Sequence, residues 1–195
     1  MEETEEQLRT MCDLCDEDLS RIDGCKANKR RIELLSVRAL LKAVGINQTI
    51  HYDDRKPYLD SGYISISHSA DIAAIIYNSD HPVGIDFEKI SPRIQRIATR
   101  AFSDLEIAAA NGDLEKLTIL WNCKECIFKL ANDEGIDFRE MIKVNLLPFV
   151  QPTELVECWQ SDGIEVSLTK SGQTRHFSLS TIKIEGNTAV FGKEI

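Results

Sequence analysis

Helix-like and strand-like patterns of apolar residues occupy separate blocks of this chain, and this separation is the strongest constraint on its fold. Residues 27–44 carry apolar side chains too densely for a strand and interleave them with charges, which indicates a helix ended by Gly45. Residues 63–67 and 83–88 alternate apolar and polar side chains, as strands do. Further helices are predicted over residues 92–110 and 113–130, a strand over 71–77, and more strands over 164–195. This order of elements predicts an α+β fold rather than a parallel sheet.

A turn-rich stretch over residues 78–82 is predicted to divide the chain into two halves, residues 1–81 and 82–195. The stretch contains Asn78, Ser79, Asp80 and Pro82, which are residue types that favour turns. The three strands around it are short and close in sequence, so we expect them to form an antiparallel meander.

The negative charge of the chain is concentrated at its start. The formal net charge is −9, and residues 1–20 hold eight acidic residues against one arginine. We therefore expect a solvated acidic segment over residues 1–25. Nucleic acid is not an expected partner, because it selects clustered positive charge. No apolar stretch approaches the roughly 18 residues of a membrane span, and the acidic start differs from a signal peptide, so we expect a cytoplasmic protein with no membrane partner.

Four of the six cysteines form two C-x-x-C pairs, Cys12 with Cys15 and Cys123 with Cys126. Two such pairs can supply the four thiolates of a structural zinc site, which would make the chain a zinc-stabilised interaction module. The pairs are more than a hundred residues apart, however, and neither is flanked by a glycine-rich knuckle. Isolated reduced thiols are therefore the favoured interpretation.

Two carboxylates project from one face of the strand predicted over residues 83–88. Because side chains alternate along a strand, Asp86 and Glu88 share the face opposite Val83, Ile85 and Phe87. Neighbouring carboxylates repel each other, and their pKa values rise unless a cation lies between them. Mg²⁺ suits such a pair, since it takes one or two carboxylates together with ligand phosphates. A solvated acidic face is the alternative.

Charged residues also line one face of the helix predicted over residues 113–130. Trp121, Glu125 and Lys129 lie one helical turn apart, with Lys124 adjacent. A surface ion pair would explain Glu125 and Lys129, but Trp121 on the same stripe indicates a partly buried face.

A histidine, His68, follows the strand predicted over residues 63–67 and lies between two serines. In that position it can donate to a phosphate or carry a proton. A structural role is the alternative.

Taken in order, these segments resemble the motifs of the Sfp-type 4′-phosphopantetheinyl transferase family. The matching segments are Arg30-Arg31-Ile32-Glu33 with Arg38, Lys56-Pro57-Tyr58, Ile66-Ser67-His68-Ser69, Gly84-Ile85-Asp86-Phe87-Glu88, Phe102-Ser103 with Glu106, and Trp121 through Lys129. The resemblance covers about residues 29–148, and the acidic start and the tail have no match. The departures are Phe87 in place of an aliphatic residue, Asn122 and Cys123 at variable positions, and Ser36-Val37 where small residues are common.

The resemblance implies a Mg²⁺-dependent transfer of the 4′-phosphopantetheine group from coenzyme A to a serine of an apo carrier protein, with release of 3′,5′-ADP. It assigns Asp86, Glu88 and Glu125 to the metal ion, and it places Glu125 to accept the serine proton, directly or through a water. Lys124 and Lys129 are expected to bind coenzyme A and to stabilise or protonate the departing nucleotide. The other residues expected at the coenzyme A phosphates and nucleotide are Arg31, Arg38, Lys56, Ser67 and His68; His68 is also counted as catalytic and is expected at the 3′-phosphate.

The fold of that family implies two similar α+β halves, each a small antiparallel sheet with helices, and an active site in the cleft between them. The half over residues 1–81 would contact the nucleotide, and the half over 82–195 would hold the metal site and the catalytic helix. A single chain then supplies both sides of the site, so a monomer is expected.

An acyl or peptidyl carrier protein is the expected acceptor. Such carriers are acidic, and Arg93, Arg96 and Arg100 lie at i, i+3 and i+7 on one predicted helix face, where they would meet the carrier. The alternative within the same resemblance is a catalytically inactive relative that binds coenzyme A.

Overall fold

The computed structural model describes residues 1–69, 72–146 and 158–195 and forms two compact units, Met1–His81 and Pro82–Ile195. The predicted α+β class is confirmed, because helices accompany sheets that are antiparallel. The similarity of the two halves and an active site between them stay predictions. In the described part of the chain, no helix is both long and apolar enough to cross a membrane.

The first unit begins with helices and continues with short strands. Its elements are α1 (Glu5–Met11), α2 (Asp16–Asp23), α3 (Asn28–Ala43), β1 (His51–Asp53), β2 (Lys56–Tyr58), β3 (Tyr63–Ser69) and β4 (Ile72–Asn78). β1 pairs with β2 and β3 pairs with β4, both antiparallel. The helix predicted over residues 27–44 and the strand predicted over 63–67 are confirmed as α3 and β3. Asp71, the first residue of the next predicted strand, lies outside the described residues.

Helix α3 forms the core of the first unit because it is apolar on two faces. Leu35 on one face packs in a buried cluster with Leu8 of α1 and Ile22 of α2. Val37 on another face packs in a second cluster with Ile64 of β3. Helix α3 therefore packs against α1 and α2 on one face and against the strands on another.

The acidic start forms two helices, with most of its acidic side chains exposed and a few apolar side chains buried. Thr4 caps α1 in a reciprocal capping box with Gln7, and Leu8 and Ile22 are 2% and 0% exposed. Several of its carboxylates pair with basic residues later in the chain: Glu5 with Arg31, Asp13 with Lys42, Glu17 with His51 and Asp18 with Arg38. The segment folds because the few apolar residues among the acids give both helices a face that can be buried.

The second unit is a five-stranded antiparallel sheet packed with helices. Its elements are β5 (Val83–Lys89), a 3₁₀ helix (Pro92–Ile94), α4 (Gln95–Ala101), α5 (Asp104–Ala110), α6 (Leu114–Ala131), β6 (Ile142–Asn145), β7 (Cys158–Lys170), β8 (Gln173–Ile184) and β9 (Asn187–Glu194). The strand order is β5-β9-β8-β7-β6. The core of this unit includes Leu120 and Ile127 of α6 with Ile164 and Leu179 of the sheet, all 0% exposed. The helix predicted over residues 113–130 is confirmed as α6, and the predicted tail strands as β7 to β9.

Two predictions for the second unit were wrong. The first is the meander, since β5 pairs over its whole length with β9, from Val83 opposite Lys193 to Lys89 opposite Asn187. The second is the helix over residues 92–110, which is interrupted at Phe102. There the backbone is extended, and Ser103 begins α5 as the N-cap of a new capping box. Residues 147 and 148, the end of the region that resembles the transferase family, lie outside the described residues.

Candidate active site

The acidic strand β5 packs closely against helix α6 because Gly84 has no side chain. A Cβ at Gly84 would lie 2.6 Å from the carbonyl oxygen of Cys126 and 3.0 Å from its Sγ, and real Cβ atoms do not approach backbone oxygens so closely. Glycine at this position therefore permits the short distance between β5 and α6. As a result, the acidic residues of β5 lie beside the charged face of α6.

Lys129 joins the two elements directly. Its Nζ donates to Oδ1 of Asp86 at 2.8 Å and to the carbonyl oxygen of Ile85 at 3.0 Å. Asp86 is 5% exposed, whereas the side chain of Lys129 is 28% exposed. Asp86 is thus a buried carboxylate whose oxygen meets an ammonium group, and not part of a solvated acidic face.

Glu125 lies one helical turn before Lys129 on α6. Burial raises the pKa of Glu125 to about 7, the carboxylates of Asp86 and Glu88 push it in the same direction, and Lys129 opposes the shift. The three predicted metal carboxylates are therefore within electrostatic range of one another. Such a group of mutually repelling acids is stabilised by a cation.

These carboxylates do not form a ready-made chelate. Within residues 1–69, 72–146 and 158–195, no three His, Cys, Asp or Glu side chains are placed to hold a metal ion by themselves. Mg²⁺ does not require such a cage, because it commonly uses one or two carboxylates together with water and ligand phosphates. The donor set of Asp86, Glu88 and Glu125 consists of hard oxygens and fits this ion. Their binding to it stays a prediction.

The structure does not place Lys124 at this site. Lys124 is 0% exposed; its Nζ donates to the carbonyl oxygens of Phe138 at 2.7 Å and Ile142 at 2.8 Å and lies 2.9 Å from Oε2 of Glu106. An ammonium has three protons to donate, and these three acceptors use them all. The predicted contact between Lys124 and the departing nucleotide is therefore not supported.

Two of the arginines predicted to bind coenzyme A already form ion pairs within the first unit. Arg38 is buried, and its Nε donates to Asp18 at 2.7 Å. Arg31 donates through Nε to Glu5 at 2.8 Å and through Nη1 to the carbonyl oxygen of Cys25 at 2.8 Å. Both side chains hold the N-terminal helices on α3, so their predicted contact with the nucleotide is not supported.

Arg30, which belongs to the matched arginine motif but was not predicted to contact coenzyme A, lies beside His68. Nη1 of Arg30 is 2.9 Å from Nε2 of His68, and Glu33 is 2.9 Å from Arg30 and 3.7 Å from His68. Arginine can only donate, so Nε2 of His68 is the acceptor in this contact. The side chains of Arg30 and His68 are 44% and 37% exposed, although the carboxylate of Glu33 already pairs with the guanidinium.

The remaining predicted nucleotide contacts are also in the first unit. Ser67, on β3 next to His68, is buried, and Lys56, the first residue of β2, is exposed. Their contact with coenzyme A stays a prediction.

The predicted basic stripe lies on the solvent side of the second unit. Arg93 in the 3₁₀ helix and Arg96 and Arg100 in α4 are exposed, whereas Ile94 and Ala98 of the same segment are buried. All three arginines are therefore exposed to solvent, and all three precede the interruption at Phe102.

The cysteine pairs do not have the character of zinc ligands. Cys123 and Cys126 are 0% exposed in the core of the second unit, and burial raises the pKa of both thiols. Burial also raises the pKa of Cys12. Among the described residues, no three His, Cys, Asp or Glu side chains are grouped so that they could hold a metal ion. The zinc-module alternative is therefore not supported.

Comparison with known proteins then identifies the family. Residues 82–186, which are more than half of the chain and extend from the turn before β5 to the turn before β9, match the family model of the 4′-phosphopantetheinyl transferase superfamily. The chain belongs to this superfamily. The transferase is also 27% identical over 178 residues to the 4′-phosphopantetheinyl transferase HetI of Nostoc sp. (strain PCC 7120 / SAG 25.82 / UTEX 2576), a similarity that covers 80% of the chain and 74% of HetI. The predicted superfamily and enzyme class are thereby confirmed, and the Sfp-type subdivision stays a prediction.

Proposed function

We propose that the transferase moves the 4′-phosphopantetheine group of coenzyme A onto a serine of an apo acyl or peptidyl carrier protein, with Mg²⁺ as the required ion and 3′,5′-ADP as the second product. The observation that carries this proposal is the convergence of β5 and α6, which brings Glu125 and Lys129 to the buried carboxylate of Asp86. Carboxylates for a metal and an ammonium for a phosphate are the groups that pyrophosphate cleavage needs.

In this proposal Asp86, Glu88 and Glu125 hold the Mg²⁺, which neutralises charge on the pyrophosphate when it is bound. Glu125 is also the carboxylate proposed to accept the serine proton, directly or through a water. Lys129, at 2.8 Å from Asp86, is partly exposed and is the lysine of α6 that can reach the phosphates of the departing nucleotide.

The nucleotide end of coenzyme A is assigned to the first unit. Arg30 and His68 form the accessible pair of anion-binding side chains there, with Ser67 and Lys56 as further contacts. Arg30 is assigned here in place of Arg31 and Arg38 because its side chain is the most exposed of the three, at 44% against 25% and 5%. A guanidinium suits a phosphate because it offers several donors in a fixed plane.

Arg93, Arg96 and Arg100 form the surface that we assign to the acidic carrier. Their charge would act mainly on the encounter with the carrier and on its orientation. Arg96→Glu should raise the KM for the carrier about tenfold or more, an effect of about 1.4 kcal/mol, and leave the KM for coenzyme A unchanged. Steady-state kinetics with each substrate varied in turn would measure both constants, and an unchanged carrier KM would remove this assignment.

The reaction itself is tested by mass spectrometry. The purified protein is incubated with coenzyme A, Mg²⁺ and several apo-carriers of the acyl and peptidyl types, and the carriers are weighed. We expect at least one carrier to gain one phosphopantetheine group, no gain in EDTA, and no gain with the Glu125→Gln variant. Coenzyme A binding without any modified carrier would instead favour the inactive relative. We also propose that the enzyme is a cytoplasmic monomer, which light scattering and localisation of a tagged chain would check.

A further inference from the structure

The side chain of Lys124 lies next to Glu125 in sequence but belongs to a buried network on the other side of α6. Its ammonium is 2.9 Å from Oε2 of Glu106, and these side chains are 0% and 5% exposed. Burial lowers the pKa of Lys124, and the carboxylate of Glu106 opposes that shift. A buried ion pair is stable only if its remaining donors and acceptors are also satisfied.

That condition is met on both partners. Lys124 uses its other two protons on the carbonyl oxygens of Phe138 and Ile142. Glu106 accepts from the backbone N–H of Ser103 at 2.7 Å through Oε2 and from that of Val144 at 2.9 Å through Oε1. The network therefore joins α6 to the start of α5, to the turn before β6 and to β6 itself.

Such a network is one of the contacts that hold the rotation of α6 about its own axis. Successive side chains of a helix point about 100° apart, so the direction of Lys124 determines the directions in which Glu125 and Lys129 point. A second contact holds α6 on the sheet, because Nδ2 of Asn122 donates to the carbonyl oxygen of Thr188 at 2.8 Å. Without Lys124, α6 would still be docked on the sheet, but its rotation would be less strictly fixed.

We propose that Lys124 and Glu106 are positioning residues, which act together to aim Glu125 at the metal site beside Asp86 and Glu88. This proposal rests on the proposed function of Asp86, Glu88 and Glu125 as metal ligands. A functional group must be held within about 0.5 Å and 10–20° of its productive geometry, and residues that orient metal ligands typically change metal affinity by about 10–100-fold.

The test measures metal affinity and catalysis separately. Mn²⁺ replaces Mg²⁺ as an ion visible by electron paramagnetic resonance, and its Kd is determined with coenzyme A present and no carrier. The variants are Lys124→Met, Glu106→Gln and the double variant, with Lys116→Met as a matched control on the same helix. Near-UV circular dichroism establishes that each variant is folded.

We expect Lys124→Met and Glu106→Gln each to raise the Kd for Mn²⁺ about tenfold or more, and to keep kcat at saturating Mn²⁺ within about threefold of the wild type. The double variant should bind Mn²⁺ no more weakly than the worse single variant, because both substitutions disable one network. Lys116→Met should retain the wild-type Kd.

Two results would overturn the inference. One is a Lys124→Met protein with an unchanged Kd and a reduced kcat, which would mean that Lys124 acts on the reacting groups. The other is an unchanged Kd in Glu106→Gln, and this milder variant decides the question if Lys124→Met does not fold. Failure of the wild-type protein to modify any carrier would instead overturn the proposed function, since the Kd comparison does not depend on a carrier.

Discussion

Replacing Glu125 with glutamine should stabilise the metal-free protein at and above neutral pH, although it removes a proposed metal ligand. The folded structure raises the pKa of Glu125 from 4.5 to about 7, chiefly through burial. At about 1.4 kcal/mol for each pKa unit, this rise corresponds to about 3 kcal/mol at most. Glu125 is partly exposed, so screening by water reduces the expected effect to about 1–2 kcal/mol.

The pH dependence of this effect follows from its sign. The folded-state pKa of Glu125 lies above the value of 4.5 for an ordinary glutamate, so the neutral carboxyl is the form that the fold favours. The stability that this neutral carboxyl gives the folded protein is fully present below about pH 4.5 and is lost as the pH rises through about 7. Glutamine stays neutral throughout. The free energies of unfolding of the two proteins should therefore agree at low pH and differ by about 1–2 kcal/mol at pH 8.

Urea denaturation in EDTA, followed by tryptophan fluorescence at both ends of this pH range, measures the difference. Glu134→Gln is the matched control, because Glu134 is exposed in the turn after α6 and should behave as the wild type at every pH. Mg²⁺ with coenzyme A should stabilise the wild type more than Glu125→Gln. A gap between wild type and Glu125→Gln that does not change with pH would refute the argument, since it would not arise from the charge of Glu125.

Two further variants test how the structure holds the site. Gly84→Ala should destabilise the second unit by about 1–3 kcal/mol and weaken Mn²⁺ binding, because its Cβ would lie 2.6 Å from the carbonyl oxygen of Cys126 and force β5 away from α6. Calorimetry would measure the loss of stability, and the Mn²⁺ titration would measure the loss of affinity. Wild-type values in both measurements would contradict the close approach of β5 and α6. Asp18→Ala should cost the first unit about 3–5 kcal/mol in urea denaturation, because it leaves the guanidinium of Arg38 buried without its carboxylate. Asp13→Ala, which removes the exposed partner of Lys42, should cost under about 1 kcal/mol, and equal losses in the two variants would contradict the buried pair.

Local geometry made several parts of the site predictable. A strand sends every second side chain to the same face, so Asp86 and Glu88 had to point in one direction. A helix repeats every 3.6 residues, so Glu125 and Lys129 had to share a face of α6. The α+β class followed from such local patterns, because the period of an element is a property of neighbouring residues. The superfamily came instead from the resemblance of short motifs, in their order along the chain, to those of a known family.

Long-range contacts decided what these side chains meet. β5 pairs with β9 although the two strands are about a hundred residues apart, and no periodicity within β5 identifies that partner. Lys124 and Lys129 are the same residue type on one helix, yet Lys124 forms a buried ion pair with Glu106, whereas Lys129 pairs with Asp86.

The adjacent arginines of α3 differ in the same way. Arg31 pairs with Glu5 of the acidic start and is 25% exposed, whereas Arg30 pairs with Glu33 of its own helix and is 44% exposed beside His68. The sequence by itself determined which charged residues share a face, because that depends only on backbone geometry. Only the tertiary structure decided which charges are occupied and which are available, because an ion pair depends on the side chains that distant segments bring within a few ångströms.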